Sequence, residues 1–193
     1  MERICVFCGS SAGTQEAYGL AARDLGRALV AHKLDLVYGG GRVGLMGILA
    51  DSVLAAGGRA FGVIPEALAD KEVAHAGLTE LTLVPSMHER KAAMVEMADA
   101  FIALPGGFGT YDELCEILTW AQLGFHRKPI ALLNVAGFYD GLLTFFDQAT
   151  REGFVRRQHR DMILVEQEPT LLLRSLMHYV PDVTPKWITR DEL

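Results

Sequence analysis

Residues 105–113 read Pro-Gly-Gly-Phe-Gly-Thr-Tyr-Asp-Glu, a stretch that joins an anion cradle to an acid. An apolar run, residues 100–104, leads into it, and Leu114, Ile117, Leu118 and Ala121 lead out at helical spacing. The pattern predicts a strand, a glycine loop and a helix N-terminus. Gly106, Gly107 and Gly109 let the backbone approach a ligand closely. The first N–H groups of a helix lack intrahelical acceptors and sit at the positive end of its dipole, so they attract phosphate or carboxylate. Glu113, placed in the first turn, adds a carboxylate, and the combination suggests chemistry on a phosphorylated substrate. Thr110-x-x-Glu113 also fits a capping box, in which each side chain bonds the other residue's backbone N–H. A proline and three glycines ahead of it are more than a cap needs.

A second cluster is Ser86-Met87-His88-Glu89-Arg90-Lys91. Ser86-x-x-Glu89 is another capping box, which puts Arg90 and Lys91 in or just after a first helical turn. Cations there oppose the helix dipole, at about 0.3–1 kcal/mol each when exposed. A solvated polar face is the plain reading, but an anionic partner would remove the penalty, and arginine's fork suits phosphate or carboxylate. His88 reads as a helix-face histidine without a catalytic role. Glu116, one turn beyond Glu113, shares a similar face and either supports the site or is solvated. Met87, Met94 and Met97 recur at helical spacing and read as core or a subunit interface.

The elements that must position these residues follow from periodicity. Residues 4–7, 34–38, 60–64, 81–84, 100–104, 130–133 and 162–165 are short apolar runs that read as strands. Helical patterns cover residues 17–29, 45–56, 86–98, 111–123, 138–152 and 170–179, while residues 66–77 have no clean period. Strands alternating with helices predict a Rossmann-like, doubly wound α/β fold, mainly parallel, with helices on both faces. Ligands bind such sheets at the carboxyl ends of the strands. Residues 8–13, 39–44 and 105–110 are loops at such ends and should converge on one rim.

At 193 residues the chain predicts a single domain over residues 1–180, followed by a peripheral tail, 181–193. Half the residues are hydrophobic and 22% are charged, ordinary for a protein with a sizeable core. The net charge of -6 disfavours nucleic acid and anionic membrane surfaces. No apolar run approaches the length of a membrane span, and the first residues read as a strand rather than a signal peptide.

Cys5-x-x-Cys8 has no second pair to complete a zinc site, and the six histidines show no ligand spacing. Cys5 lies within a predicted strand, whereas redox pairs of this spacing open a helix. All three cysteines therefore read as buried free thiols in a reducing cytoplasm. Gly39-x-Gly41-x-x-Gly44 matches the dinucleotide fingerprint, but it follows the second strand. The acid expected about 20 residues on falls near Glu66, beyond a proline. Close helix–sheet packing, with Gly40 and Gly41 near a mononucleotide, is the better reading.

Pro-Gly-Gly-x-Gly-Thr-x-x-Glu, with residues 39–47, 87–91 and 119–124, resembles the LOG (Lonely Guy) family of cytokinin riboside 5′-monophosphate phosphoribohydrolases. The resemblance runs from Ile4 to about His178. It implies hydrolysis of the N-glycosidic bond of AMP and N6-prenylated AMP to a free base and ribose 5-phosphate, without metal or cofactor. It implies that Arg90 and Glu113 are catalytic and that Glu72 and Thr119 contact the nucleotide. Gly107, Gly109 and Thr110 would hold the phosphate, with Phe108 and Lys91 also at the substrate. Asp112 stands where the family commonly has glutamate and keeps the charge. A homodimer with the site near its interface is implied too, and helices 87–98 and 111–123 carry apolar residues enough for that contact. Two alternatives remain: a non-catalytic nucleotide or molybdopterin-type cofactor carrier of the same fold, and a pyridoxal-phosphate decarboxylase. The second lacks a lysine in a recognisable Schiff-base setting.

Overall fold

The computed structural model describes residues 1–69 and 74–181. Seven strands form one sheet: β1 (Arg3–Phe7), β2 (Asp35–Tyr38), β3 (Ala60–Pro65), β4 (Glu80–Val84), β5 (Ala100–Ala103), β6 (Ile130–Leu133) and β7 (Ile163–Glu166). Their order is β4-β3-β2-β1-β5-β6-β7, and every pairing is parallel. The order reverses between β1 and β5, where Ile4 pairs with Ala100 and Phe7 with Ala103. In an open α/β sheet a crevice forms at that switch, outside the carboxyl ends of the strands.

Eight helices complete the described chain: α1 (Glu16–Ala31), α2 (Gly44–Ala55), α3 (Glu66–Ala69), α4 (Met87–Met97), α5 (Phe108–Gln122), α6 (Asp140–Arg151), α7 (Arg157–Arg160) and α8 (Pro169–Met177). Alternation along each strand divides two cores. Ile4, Val6, Leu36 and Ile102 face α1, α2 and α8 through Leu25, Leu49 and Leu172. Cys5, Phe7, Val37 and Phe101 face α4 and α5 through Met94, Leu114 and Ile117, with Leu142 and Phe146 of α6 alongside. The inner strands β2, β3, β5 and β6 are buried along their whole length, which is why they read as continuous apolar runs, whereas the edge strands β4 and β7 are partly exposed.

Several bounds differ from the sequence reading. Residues 66–77, read as irregular, begin with the short helix α3, and Ala74 bridges Gly41. The helix read from residue 138 begins at Asp140, after a 3-10 turn at Val135–Gly137. There the Asn134 side chain accepts from Tyr139 N at 2.7 Å and donates to Asp140 at 2.7 Å. The single turn α7 had no apolar period to announce it. Nearly all of the predicted tail lies outside the described residues. Among the described residues, no helix is long and apolar enough to cross a membrane.

Candidate active site

The three strand-end loops meet at the switch between β1 and β5. Gly9 N donates to Pro105 O at 3.1 Å, and Leu45 N donates to Gly9 O at 3.0 Å. The loop after β1 is thereby tied both to the loop after β5 and to the first turn of α2. Gly44 sits in the left-handed region at φ 59°, and a Cβ there would fall on the Ser10 carbonyl, so this approach needs glycine.

Helix α5 begins earlier than its sequence suggests. Gly107 is its N-cap, in an extended conformation and without a side-chain cap. The first helical bond runs from Tyr111 N to Gly107 O at 3.1 Å. Thr110 is thus the third helical residue and Glu113 the sixth, so the Thr110–Glu113 capping box does not form, and Glu113 belongs to the second turn. The glycines explain the shift, because Gly107 and Gly109 let the backbone start helix without a polar cap. The freed N–H groups at Phe108, Gly109 and Thr110 form the helix's unpaired N-terminal set.

A cleft opens beside this terminus, lined by Gly107, Phe108, Gly109, Thr110, Glu113 and Arg90. Thr110 and Glu113 are buried, while Phe108 stands at the mouth, 92% exposed. Arg90 comes from α4, where the serine half of the predicted capping box is present: the Ser86 hydroxyl accepts from Glu89 N at 3.2 Å, and it donates to the Glu89 carboxylate at 3.0 Å. Arg90 is buried, against the sequence picture of an exposed cation near a helix start. Its Nε donates to Val63 O at 3.1 Å and its Nη2 to Gly39 O at 3.0 Å. A third nitrogen, Nη1, lies 3.7 Å from Met87 Sδ. The ends of β2 and β3 therefore aim the guanidinium.

Ser10, Cys8 and Met46 also line the cleft, and sequence reasoning had not marked them as site residues. Ser10 had a signal, since the small-residue loop 8–13 lies at a strand end. Cys8 and Cys5 are buried free thiols. Burial, with the charge of Glu113 second, pushes both thiols up, and Arg90 opposes the shift. They stay neutral and are poor nucleophiles. Cys115 differs from the expectation of a buried thiol: it is exposed on α5.

The remaining predicted residues lie elsewhere. Gly40 and Gly41 are buried but do not line the cleft. Gly40 O accepts from His75 N at 3.0 Å, and Gly41 bridges Ala74, so both secure the chain returning to β4. Lys91 turns away from the cleft and pairs with Asp112 and Glu116 of α5. Thr119 donates to Cys115 O at 2.7 Å and lines a separate groove with Leu118, Phe146 and Val155. Glu72 lies outside the described residues. Met94 is core, whereas Met87 is exposed. Among the described residues, no group of three or more His, Cys, Asp or Glu side chains could hold a metal ion.

A helix N-terminus, a buried arginine and a buried glutamate at the switch point of a doubly wound sheet define a site for an anionic, nucleotide-like ligand. Residues 46–176 match the family model described as "Possible lysine decarboxylase". The chain is 52% identical over 179 residues to the cytokinin riboside 5′-monophosphate phosphoribohydrolase LOG2 of Arabidopsis thaliana, covering 93% of this chain and 84% of that one. It is 48% identical over 191 residues to the cytokinin riboside 5′-monophosphate phosphoribohydrolase LOG of Oryza sativa subsp. japonica, covering 99% of this chain and 79% of that one. The chain belongs to this LOG family.

Among solved structures, the molybdenum cofactor carrier protein of Chlamydomonas reinhardtii is similar with a TM-score of 0.69 at 21% identity, over 92% of this chain and 99% of that one. The molybdenum cofactor binding protein of Rippkaea orientalis gives a TM-score of 0.68 at 20% identity, over 91% and 97%. At such identity the likeness shows the fold.

Proposed function

We propose that this protein hydrolyses the N-glycosidic bond of adenine-type nucleoside 5′-monophosphates, AMP and N6-substituted AMP, giving the free base and ribose 5-phosphate. The observation that carries the reading is the convergence of Arg90 and Glu113 on one cleft beside the N-terminus of α5. The names of the half-identical relatives support the same chemistry.

The 5′-phosphate sits on the N–H groups of residues 107–110, where backbone donors and the helix dipole favour an anion. That anchor sets the ribose beside Glu113. As the bond from C1′ to the base nitrogen breaks, positive charge builds on the sugar, as in glycoside hydrolysis. The Glu113 carboxylate stabilises that charge and positions water, which adds to C1′. The base leaves with the bonding electron pair and gains a proton. Arg90, fixed by two carbonyls, orients the nucleotide and meets the developing negative charge. No metal or cofactor takes part.

The carrier alternative has the fold in its favour, and the presence of both Arg90 and Glu113 in the cleft counts against it. For the decarboxylase, no lysine is among the described residues that line the cleft. The protein acts in the cytoplasm as a homodimer, with neither nucleic acid nor membrane as partner. Apolar side chains on and after α5, including Phe125 at 73% exposure and Phe145 at 62%, supply surface for the second copy. Incubating purified protein with AMP and resolving adenine by chromatography tests the function. Tight AMP binding without adenine would favour the carrier.

A further inference from the structure

Lys91 follows Arg90 on α4, and its buried ammonium spans to α5. Its Nζ lies 3.1 Å from Asp112 Oδ2 and 3.1 Å from Glu116 Oε1. Successive helical residues point about 100° apart, so Arg90 reaches the strand ends while Lys91 reaches the neighbouring helix. On α5, Asp112 and Glu116 are four apart and share a face. Glu113, next to Asp112, turns into the cleft. Lys91 and Asp112 are therefore sequence neighbours of the two proposed catalytic residues, on the same two helices.

We infer that Lys91 is a positioning residue, which through Asp112 and Glu116 fixes α4 against α5 and so sets Arg90 relative to Glu113. The inference rests on the proposed hydrolase reading. Three observations support it. Lys91 does not line the cleft, and its cation is committed to two carboxylates rather than to a phosphate. Burial works against the ammonium, yet the bonds to Asp112 and Glu116 outweigh it and hold its pKa above the usual lysine value. Glu116 Oε2 is buried without a hydrogen-bond partner, a cost that a contact serving stability alone would shed. Asp112 is largely exposed, so its pairing adds little to stability and does not by itself call for a lysine here. Geometry does, because displacing reacting groups by about 1 Å can cost about 10²-fold in rate.

The test compares Lys91→Met and Lys91→Arg with wild type, measuring kcat and KM for AMP and the melting temperature. Lys91→Met keeps the aliphatic stem and loses the clamp. Its kcat should fall about 10- to 100-fold with KM within about threefold, because the interaction acts on geometry rather than on binding. Its melting temperature should fall, because removing the cation leaves the partly buried Glu116 beside Asp112 with no opposite charge. Lys91→Arg keeps the charge and should recover most of kcat. A wild-type kcat in Lys91→Met overturns the inference. So does a loss carried by KM together with collapse of the preference for AMP over adenosine, which would make Lys91 a phosphate contact. If Lys91→Met does not fold, Glu116→Gln decides: a lower kcat at constant KM supports the clamp, and an unchanged kcat overturns it. A wild-type protein that releases no adenine removes the proposed function and this inference together. An active wild type with an equally active Lys91→Met removes only the inference.

Discussion

Arg90 Nη2 donates to the carbonyl of Gly39 at 3.0 Å, linking α4 to the end of β2. A Cβ on residue 39 would occupy the place of that nitrogen. Gly39→Ala should therefore push the guanidinium off its carbonyl and lower kcat/KM about 10- to 100-fold, as misplaced reacting groups do. Arg90→Lys should lose at least as much, since one ammonium cannot reproduce the fork. Arg90→Ala should also lower stability, by about 1–3 kcal/mol, because it strands two buried carbonyls. That reverses the slight gain expected of a cation removed from an exposed helix start. Adenine release and thermal melting of the three variants check this.

Glu113→Gln preserves size and removes charge. The expected loss in kcat is about 10²–10⁴, with AMP affinity largely kept. Thermal melting of the same variant separates a loss of chemistry from a loss of fold. Calorimetric binding of AMP beside initial rates separates the two effects. Turnover at the wild-type rate would exclude Glu113 from catalysis.

Adenosine should be a much poorer substrate than AMP. Each charge-assisted bond to the phosphate contributes about 1.5–3 kcal/mol. Losing two or three, partly offset by solvent, should cost about 10²–10⁴ in kcat/KM. Some of the loss should appear in kcat, because the phosphate anchors the ribose for bond breaking. Initial rates at matched concentrations decide it, and equal rates would mean that residues 107–110 bind no phosphate.

Asp99 accepts from Glu2 N at 2.6 Å and from Arg3 N at 3.0 Å, pinning the chain before β1. Burial raises its pKa, but the two amide bonds outweigh burial and hold it below the usual aspartate value. A depressed carboxyl contributes stability above its unfolded pKa and loses it as pH falls through the folded value. Asp99→Asn should thus melt below wild type at neutral pH, with the gap closing as pH falls below the ordinary aspartate range. A gap constant with pH would contradict the linkage.

The protein should scatter light as a dimer at micromolar concentration. Phe145→Glu, at an exposed site on α6, should weaken association, because a charge on an apolar contact is costly. A monomeric wild type with full activity would refute the dimer.

The sequence by itself determined the layered α/β class, because the alternation of apolar strands with helices is local and needs no partner to be read. It also marked which strand ends carry the chemistry, since glycine clusters are visible in one dimension. Residues 107–110 and Glu113 could be singled out on that ground. Arg90 came into view through the capping box at Ser86, of which the serine half forms as read.

Only the tertiary structure decided the rest. The placement of β1 beside β5, which creates the crevice, depends on which strands pair, and apolar runs of similar composition do not encode their neighbours. The start of α5 at Phe108 depends on how Gly107 meets the loops around it, so a sequence cap at Thr110 lost to a backbone one. Arg90 looked like an exposed cation because its acceptors, on Gly39 and Val63, lie far away in sequence. Lys91 was read as a residue at the substrate, and its carboxylate partners 21 and 25 positions on become visible only once α4 and α5 share a face of the sheet. A buried charge takes its role from the groups folding brings to it, and that information is long-range.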